Sequence, residues 1–262
     1  MEPYTAESIG GFLAGDLPPA PLYVYESVGS TNDIAKKLAA DGAPDGAAVV
    51  ANRQTAGRGR MGRSFYSPPD SGVYLSVILR PESKREHIPL LTTGAAVAAA
   101  EAIEGLCGAR IQIKWVNDLY LDGRKIAGIL TETGGSAYVV IGIGVNVRES
   151  GEGFPAELAG KAGTMSAEGT QVSRSRLAAA LIGSIRKMEK ELDDGPELYI
   201  NRLLSEAKGR SCVLGREVLV TGHEGLAEAR AVDINEQGFL IVEDPQGRIH
   251  TLSSGEISLS VK

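Results

Sequence analysis

Apolar positions along the 262-residue chain follow two rhythms, and the points where one gives way to the other outline its organisation. Apolar residues at i, i+3 and i+4 mark helices; short runs that alternate, or are continuously apolar, mark half-buried and buried strands. TAESIGGFL reads as a short helix, followed by a linker with Pro18, Pro19 and Pro21. LYVYES then reads as a strand. SVGSTNDIAKKLAADG predicts a helix with Ser30 or Thr31 as its cap, Asp33 in the dipole-favoured first turn, and Ile34, Ala35, Leu38 and Ala39 in one stripe ending at Gly42. At this level, capping is sufficient to explain Ser30, Thr31 and Asn32.

GAAVVANRQ and GVYLSVILRP read as buried strands flanking the segment Gln54 to Ser64, QTAGRGRMGRS. Ile88 to Leu106 is an alanine-rich helix suited to packing on a sheet. IQIKWV alternates as a strand, DLYL and RKIAGIL flank the hairpin pair Asp122-Gly123, and AYVVIGIGVNV is another buried strand. Arg148 to Ser166, rich in Gly, Glu, Ala and Ser, reads as a mobile connection. Ser173 caps a helix with Leu177, Leu181, Ile185, Met188 and Leu192 at core spacing, and Pro196 starts a second helix closed by Gly209. Beyond Gly209, short strands separated by Gly, Asn or Asp turns predict a small β-barrel. Strands that follow one another directly favour a mixed or antiparallel sheet with helices on one face, an α+β fold, over a doubly wound parallel sheet. The expected organisation is a segment and linker over 1–20, a main domain over 21–209 and a small β domain over 210–262.

Composition narrows the classes. With 43% hydrophobic and 23% charged residues the chain has the makings of a packed core. A net charge of −6 argues against a generic duplex-DNA binder, while allowing a local basic pocket. Cys107 and Cys212 are too few for a disulfide scaffold and lack CxxC spacing. The N-terminus carries acidic residues where a signal peptide is basic, and no run approaches the roughly 18 apolar residues of a membrane span. A cytoplasmic protein without membrane contact is expected.

Three constellations carry candidate chemistry. In QTAGRGRMGRS, Arg58, Arg60 and Arg63 alternate with Gly57, Gly59 and Gly62, so backbone and guanidinium groups can wrap an anion; a solvated surface loop is the plain alternative. The segment satisfies GxGxxG and, with Arg63 in place of lysine, the P-loop spacing. Both motifs need a helix immediately afterwards, and Phe65-Tyr66-Ser67-Pro68-Pro69 denies them one. An RNA-binding Arg/Gly tract would be longer and interleaved with aromatics. The second constellation, KWVNDLYLDGRKIAGIL, brings Asn117, Asp118 and Lys125 to one side of a hairpin whose apolar company leaves Lys125 in need of an anionic partner. In the third, GIGVNV, two glycines leave room for another body, and Asn146 is polar in an apolar run, a feature a hydrogen-bonded β-bulge also explains. His87, His223 and His250 have no ligand spacing, and no nucleophilic triad can be assembled. A cationic, glycine-rich site with no evident nucleophile suits a carboxylate attacking a phosphoryl group, as in activation of a carboxylic acid by ATP.

These residues resemble the biotin protein ligases: Ser30 to Asn32 (STN), Gln54 to Arg63, KWVNDLYLDGRKIAGIL, GIGVNV, and GEISL at Gly255 to Leu259 occur in the family's order, from about Leu22 to the C-terminus. The resemblance implies a class II synthetase-type catalytic domain, a mixed sheet with helices, followed by an SH3-like β-barrel. It implies that biotin and ATP, with Mg2+, give biotinyl-5′-AMP, which acylates one lysine of a biotin carboxyl carrier protein. By the same resemblance Ser30, Thr31, Asn32, Gln54, Arg58, Gly59, Arg60, Lys125 and Gly128 bind biotin. Arg58, Arg60, Arg63, Asn117, Lys125 and Asn146 bind ATP or the adenylate. Lys125, Arg60 and Asp118 are the catalytic set, Lys125 contacting the biotin carboxylate and α-phosphate and Asp118 lying near the acceptor lysine. No metal ligand is named.

The sequence departs from the family at Val116, where proline is usual, and at Ser260, where some members carry an arginine directed at the nucleotide. About twenty residues precede the first matching strand, which predicts a monofunctional ligase without the DNA-binding helix-turn-helix of bifunctional members. The resemblance is compatible with a homodimer. A lipoate- or octanoate-type protein ligase on the related fold and a non-catalytic biotin-binding module are the alternatives. The Arg/Gly loop is expected to close over ligand.

Overall fold

The computed structural model describes residues 3–13, 15, 17–80, 87–135, 137–166, 172–223 and 226–259. Strands β1 (Leu22–Val28), β2 (Ala48–Gln54), β3 (Gly72–Leu79), β4 (Gln112–Lys114), β5 (Asp118–Leu121), β6 (Arg124–Thr133) and β7 (Val139–Asn146) form one sheet in the order β1-β2-β3-β7-β6-β5-β4. β1 and β2 run parallel, joined through helix α2 (Thr31–Ala40), and every other neighbouring pair is antiparallel. This is the mixed sheet that consecutive strand patterns predict. The alternating run IQIKWV contributes only its first half as strand: the chain turns at Trp115, whose peptide to Val116 is cis, and returns as β5. Asp122 and Gly123 make the expected hairpin turn, both at positive φ.

Helices cover both faces of the sheet rather than one. Helices α3 (Ile88–Cys107) and α4 (Arg174–Asp194) pack on one face with Leu75, Val77, Val139 and Ile141 in the same buried cluster. On the other face Ala35 and Ala39 of α2 pack on Val49, Ile78 and Val140. α2 is one short helix, so it covers only one end of its face, and the remainder is open to other groups. α3 is long and apolar enough to cross a bilayer by composition alone, a property the strand-and-helix pattern did not single out, but 67% of its most apolar window is buried inside this fold.

Two connections differ from expectation. Residues 148–166 are hydrogen-bonded onto the sheet instead of running free: Lys125 N donates to Lys161 O and Gly163 N to Lys125 O, each at 2.9 Å, and Met165 is buried. Periodicity does not reveal this because the segment pairs through its backbone. Helix α5 (Pro196–Arg210) runs through Gly209 to Arg210, whose guanidinium reaches Glu104 of α3, a tertiary contact that extends the last turn past the glycine.

The C-terminal strands β8 (Glu217–Thr221), β9 (Glu228–Ile234), β10 (Leu240–Glu243), β11 (Ile249–Leu252) and β12 (Glu256–Leu259) form an antiparallel sheet in the order β11-β10-β9-β8-β12. Trp115 Nε1 donates to Gly238 O at 3.0 Å and Cys212 N to Ile113 O at 3.0 Å, so both ends of the β4 region are tied to this unit.

One buried acid makes stability depend on pH. Burial pushes the Glu189 carboxyl on α4 up to about 8, with the charge and hydrogen bond of Asp45 and the charge of Asp193 adding to it. The folded chain therefore keeps a proton that the unfolded chain loses near 4.5, so stability falls as pH rises from about 4.5 to about 8 and levels off above. Glu189→Gln is expected to melt several degrees above the wild type at pH 8.5 and at nearly the same temperature at pH 5. Equal melting differences at both pH values would show that Glu189 is not the titrating group.

Candidate functional site

Along the α2 face of β7, side chains 140, 142, 144 and 146 follow one another, and the two glycines in this row make the site. A Cβ on Gly142 would lie 2.1 Å from Asn32 Oδ1, and one on Gly144 would lie 2.5 Å from the Phe65 ring. The bodies for which GIGVNV leaves room are thus the Asn32 carboxamide and the Phe65 ring, both brought over the sheet by other elements. Beside them a cleft of about 920 Å³, counted out to its open mouth, is lined by residues from the N-terminus of α2, the Arg/Gly loop, the β4–β6 hairpins, β7 and Gly255 to Ile257.

The polar end of the cleft is a buried hydrogen-bond chain. Ser30 stands at the N-cap of α2 in extended backbone, yet its side chain makes no capping bond. Capping therefore does not account for Ser30. Thr31 N donates to Gln54 Oε1 at 2.8 Å, and the Thr31 hydroxyl donates to the same oxygen at 3.2 Å. Gln54 Nε2 donates to Ser67 Oγ at 3.0 Å. Asn32 Nδ2 donates to Glu132 Oε2 at 2.8 Å and to Leu130 O at 3.2 Å. Ser76, fully buried in the middle of β3, lies 2.6 Å from Asn32 Oδ1 and 2.8 Å from Thr31 Oγ1. Counting donors and acceptors, both amide hydrogens of Asn32 are already taken by the protein. Among the described residues the Ser30 hydroxyl and one N–H of Gln54 have no hydrogen-bond partner, and both residues line the cleft.

The Arg/Gly loop folds back on itself as a narrow hairpin. Gly59 N donates to Arg63 O at 2.7 Å and Phe65 N to Gly57 O at 2.9 Å. The arms are so close at Gly57 that a Cβ there would meet Phe65 O at 2.5 Å. No helix follows the loop, which removes the structural basis of both the dinucleotide and P-loop spacings.

Five cations line the cleft, Arg58, Arg60, Arg63, Lys114 and Lys125, and three of them are held by carboxylates. Arg58 pairs with Asp33 at 2.7 Å and Glu132 at 2.8 Å; Lys125 Nζ lies 2.6 Å from Asp118; Arg63 pairs with Glu256 of β12. Arg60 is different: its donors go to the neutral acceptors Asn117 Oδ1 at 3.2 Å and Gly255 O at 3.3 Å, and no carboxylate lies within ion-pair distance among the described residues. Burial lowers the Arg60 pKa, with the more distant charges of Asp118 and Glu256 opposing it, so this partly desolvated guanidinium gains from an anionic ligand; Lys114, over the Tyr120 ring, likewise has no carboxylate within ion-pair distance among the described residues. The Arg63 guanidinium is held above its ordinary value by its hydrogen bond to Glu256. Burial alone would raise the Glu132 carboxyl, but hydrogen bonds from Lys36 and Asn32 and the charge of Arg58 outweigh it and hold it below the ordinary carboxylate range.

The structure thus gathers Ser30, Thr31, Asn32, Gln54, Arg58, Gly59, Arg60, Arg63, Asn117, Asp118, Lys125 and Gly128 around one cleft. Asn146 does not line it; Asn146 Nδ2 donates to Gly163 O at 3.1 Å, so the geometry gives no support to a nucleotide contact by this side chain. Ser260 lies outside the described residues. Sequence reasoning missed Ser76, Glu132 and Phe65. Ser76 had one visible signal, a hydroxyl amid the apolar run of β3. Glu132 and Phe65 had none, because their partners are far away in the chain. Among the described residues no group of three or more His, Cys, Asp or Glu side chains could hold a metal ion. The cleft carboxylates are engaged by cations, so the residues present do not form a protein-held Mg2+ site.

Fold, cleft and chain similarity define one class, a ligase with a mixed-sheet catalytic unit and a small C-terminal β unit. The profile of the Biotin/lipoate A/B protein ligase family matches residues 24–146, and that of the Biotin protein ligase C terminal domain matches residues 213–260. The chain is 35% identical over 243 residues to the bifunctional ligase/repressor BirA of Bacillus subtilis, covering 91% of this chain and 74% of that protein. It is 33% identical over 236 residues to the biotin--[acetyl-CoA-carboxylase] ligase of Paracoccus denitrificans, covering 84% and 92%. The structure of biotin protein ligase from Aquifex aeolicus in complex with biotin and ATP aligns with a TM-score of 0.77 at 28% identity, covering 92% of this chain and 99% of that one. The chain belongs to the biotin protein ligase family.

Proposed function

We propose that the protein activates biotin with ATP to biotinyl-5′-AMP and transfers the biotinyl group to a lysine of a biotin carboxyl carrier protein. The observation that carries this reading is the convergence of Lys125 and the carboxylate-free Arg60 on one cleft whose far end offers unused hydrogen-bond donors. A ligand with a neutral polar head and an anionic tail would place its head at Ser30 and Gln54 and its carboxylate toward Lys125. A biotin carboxylate oxygen then attacks the α-phosphorus of ATP, and pyrophosphate leaves. Lys125 and Arg60 neutralise charge as it builds on the phosphoryl oxygens, while Arg58, tied to Asp33 and Glu132, holds the first arm of the loop in place. In the second half-reaction the acceptor amine attacks the acyl carbon and AMP leaves as the phosphate anion. The Asp118 carboxylate orients the amine or takes its proton.

Support comes from the named relatives, among them one described as a biotin--[acetyl-CoA-carboxylase] ligase and one solved with biotin and ATP. The test is exchange of labelled pyrophosphate into ATP, followed by labelling of a carrier domain. Exchange that requires biotin, with transfer to the carrier, is expected. Exchange that follows lipoate or octanoate and ignores biotin would overturn the reading, as would tight biotin binding with no exchange.

A further inference from the structure

Glu132 lies outside the residues to which the proposed chemistry gives a role, yet three groups meet on its carboxylate. Arg58 Nη2 and Asn32 Nδ2 both donate to Oε2 at 2.8 Å, and Lys36 Nζ donates to Oε1 at 2.9 Å. The Glu132 side chain is only 24% exposed, so these bonds form in a partly desolvated place where charge-assisted contacts are strong. From Glu132 the contacts continue inward through Asn32 to the Ser76 hydroxyl, which donates to Asn32 Oδ1 and can accept from the Thr31 hydroxyl, and the Thr31 backbone N–H then donates to Gln54 Oε1. Gln54 in turn bonds Ser67, whose hydroxyl donates to Phe65 O at 3.0 Å. Arg58 and Phe65 stand on opposite arms of the Arg/Gly hairpin, joined to each other by the backbone bond between Gly57 and Phe65. The path is therefore a closed ring: it leaves the loop by one arm, crosses the polar end of the cleft and returns by the other.

A closed ring of this kind has a physical consequence. Each member fixes the orientation of the next, because Asn32 and Gln54 can satisfy their neighbours with only one assignment of amide oxygen and nitrogen. A break anywhere frees both the polar end of the cleft and the loop, so the two cannot loosen independently. Gly142 belongs to the same device, since only a residue without a Cβ leaves the Asn32 carboxamide its place.

We propose that Glu132 is a positioning residue: by tying Asn32 and Arg58 to one carboxylate it sets the polar end of the cleft and the first arm of the Arg/Gly loop as a unit. The proposal rests on the biotin reading for its ligand but not for its geometry. Its test is a double-mutant cycle between Glu132 and Ser76, which share Asn32 but do not touch each other. Biotin affinity is measured by calorimetry, and hydrogen exchange of the amides of residues 57–65 is measured without ligand. Glu132→Gln is expected to weaken biotin binding roughly tenfold or more, and Ser76→Ala is expected to weaken it less. The double variant should bind within about twofold of Glu132→Gln, because the ring is already open. Glu132→Asp, which keeps the charge, should recover part of the affinity. Loop amides should exchange faster in each ring-breaking variant, with those of β8 to β11 unchanged. Effects of the two substitutions that multiply, or loop exchange unmoved by Glu132→Gln, would overturn the ring. A wild-type protein that binds no biotin, with the loop still accelerated by both substitutions, would uphold the ring and sink the biotin reading.

Discussion

Replacing Lys125 with alanine is expected to lower biotin-dependent pyrophosphate exchange by roughly a thousandfold, the scale on which losing one preorganised charge at a phosphoryl-transfer site acts. Three features make this the largest single effect. Lys125 Nζ is held 2.6 Å from Asp118, so its position is set before ligand arrives. Its peptide is bonded on both sides by the 161–163 segment, so the side chain is presented from a fixed backbone. Its ammonium packs against the strand beside Gly128, both residues lining the cleft, so the charge already faces the space a ligand would fill. The substitution leaves those backbone bonds intact and removes a side chain that is 34% exposed, so the melting temperature should move little. Lys125→Arg should recover only a small part of the rate, because a planar fork does not reproduce a compact ammonium. Exchange within tenfold of the wild type in Lys125→Ala would remove Lys125 from the reaction.

Arg60→Ala is expected to release the adenylate roughly a hundredfold faster, seen as free biotinyl-5′-AMP accumulating before carrier is added. Its neighbour supplies the contrast. Arg63→Ala should change release by less than about threefold, since a side chain 64% exposed and already paired with Glu256 exchanges one partner for water at little cost. Arg60 has only neutral acceptors in the fold and is partly desolvated, so an anionic ligand gives its charge the first close counter-charge. Equal release rates for the two variants would mean that exposure and pairing do not rank these arginines and that the loop acts as an undifferentiated cationic surface.

Local pattern was sufficient for most elements. The apolar stripe of α2, the hairpin at Asp122-Gly123, the alternation in the C-terminal strands and the cap at Ser173 each depend on residues a few positions apart, and each appears where the pattern puts it. The exclusion of the two phosphate-loop motifs was equally local, since Pro68 and Pro69 bar a helix whatever the tertiary fold. What failed were features made by partners distant in sequence: the second helical face of the sheet, the docking of 148–166 through backbone bonds, and the extension of α5 past Gly209 by Arg210 and Glu104.

The candidate site divides along the same line. The sequence by itself determined the kinds of group available: a loop that alternates cations with glycine, a hairpin lysine beside a carboxylate, and two glycines in a buried strand. Charge, backbone freedom and apolar run are properties of single residues and their immediate neighbours, so they survive without coordinates. Only the tertiary structure decided how those groups are paired. Arg58, Arg60 and Arg63 look alike in QTAGRGRMGRS, yet Glu132 from β6, Gly255 with Asn117, and Glu256 from β12 give them three different environments. Apart from Asp33, which also pairs with Arg58, these partners lie between 57 and 195 residues away. A contact over that separation is specified by the packing of whole elements, so no local pattern could have told the three arginines apart.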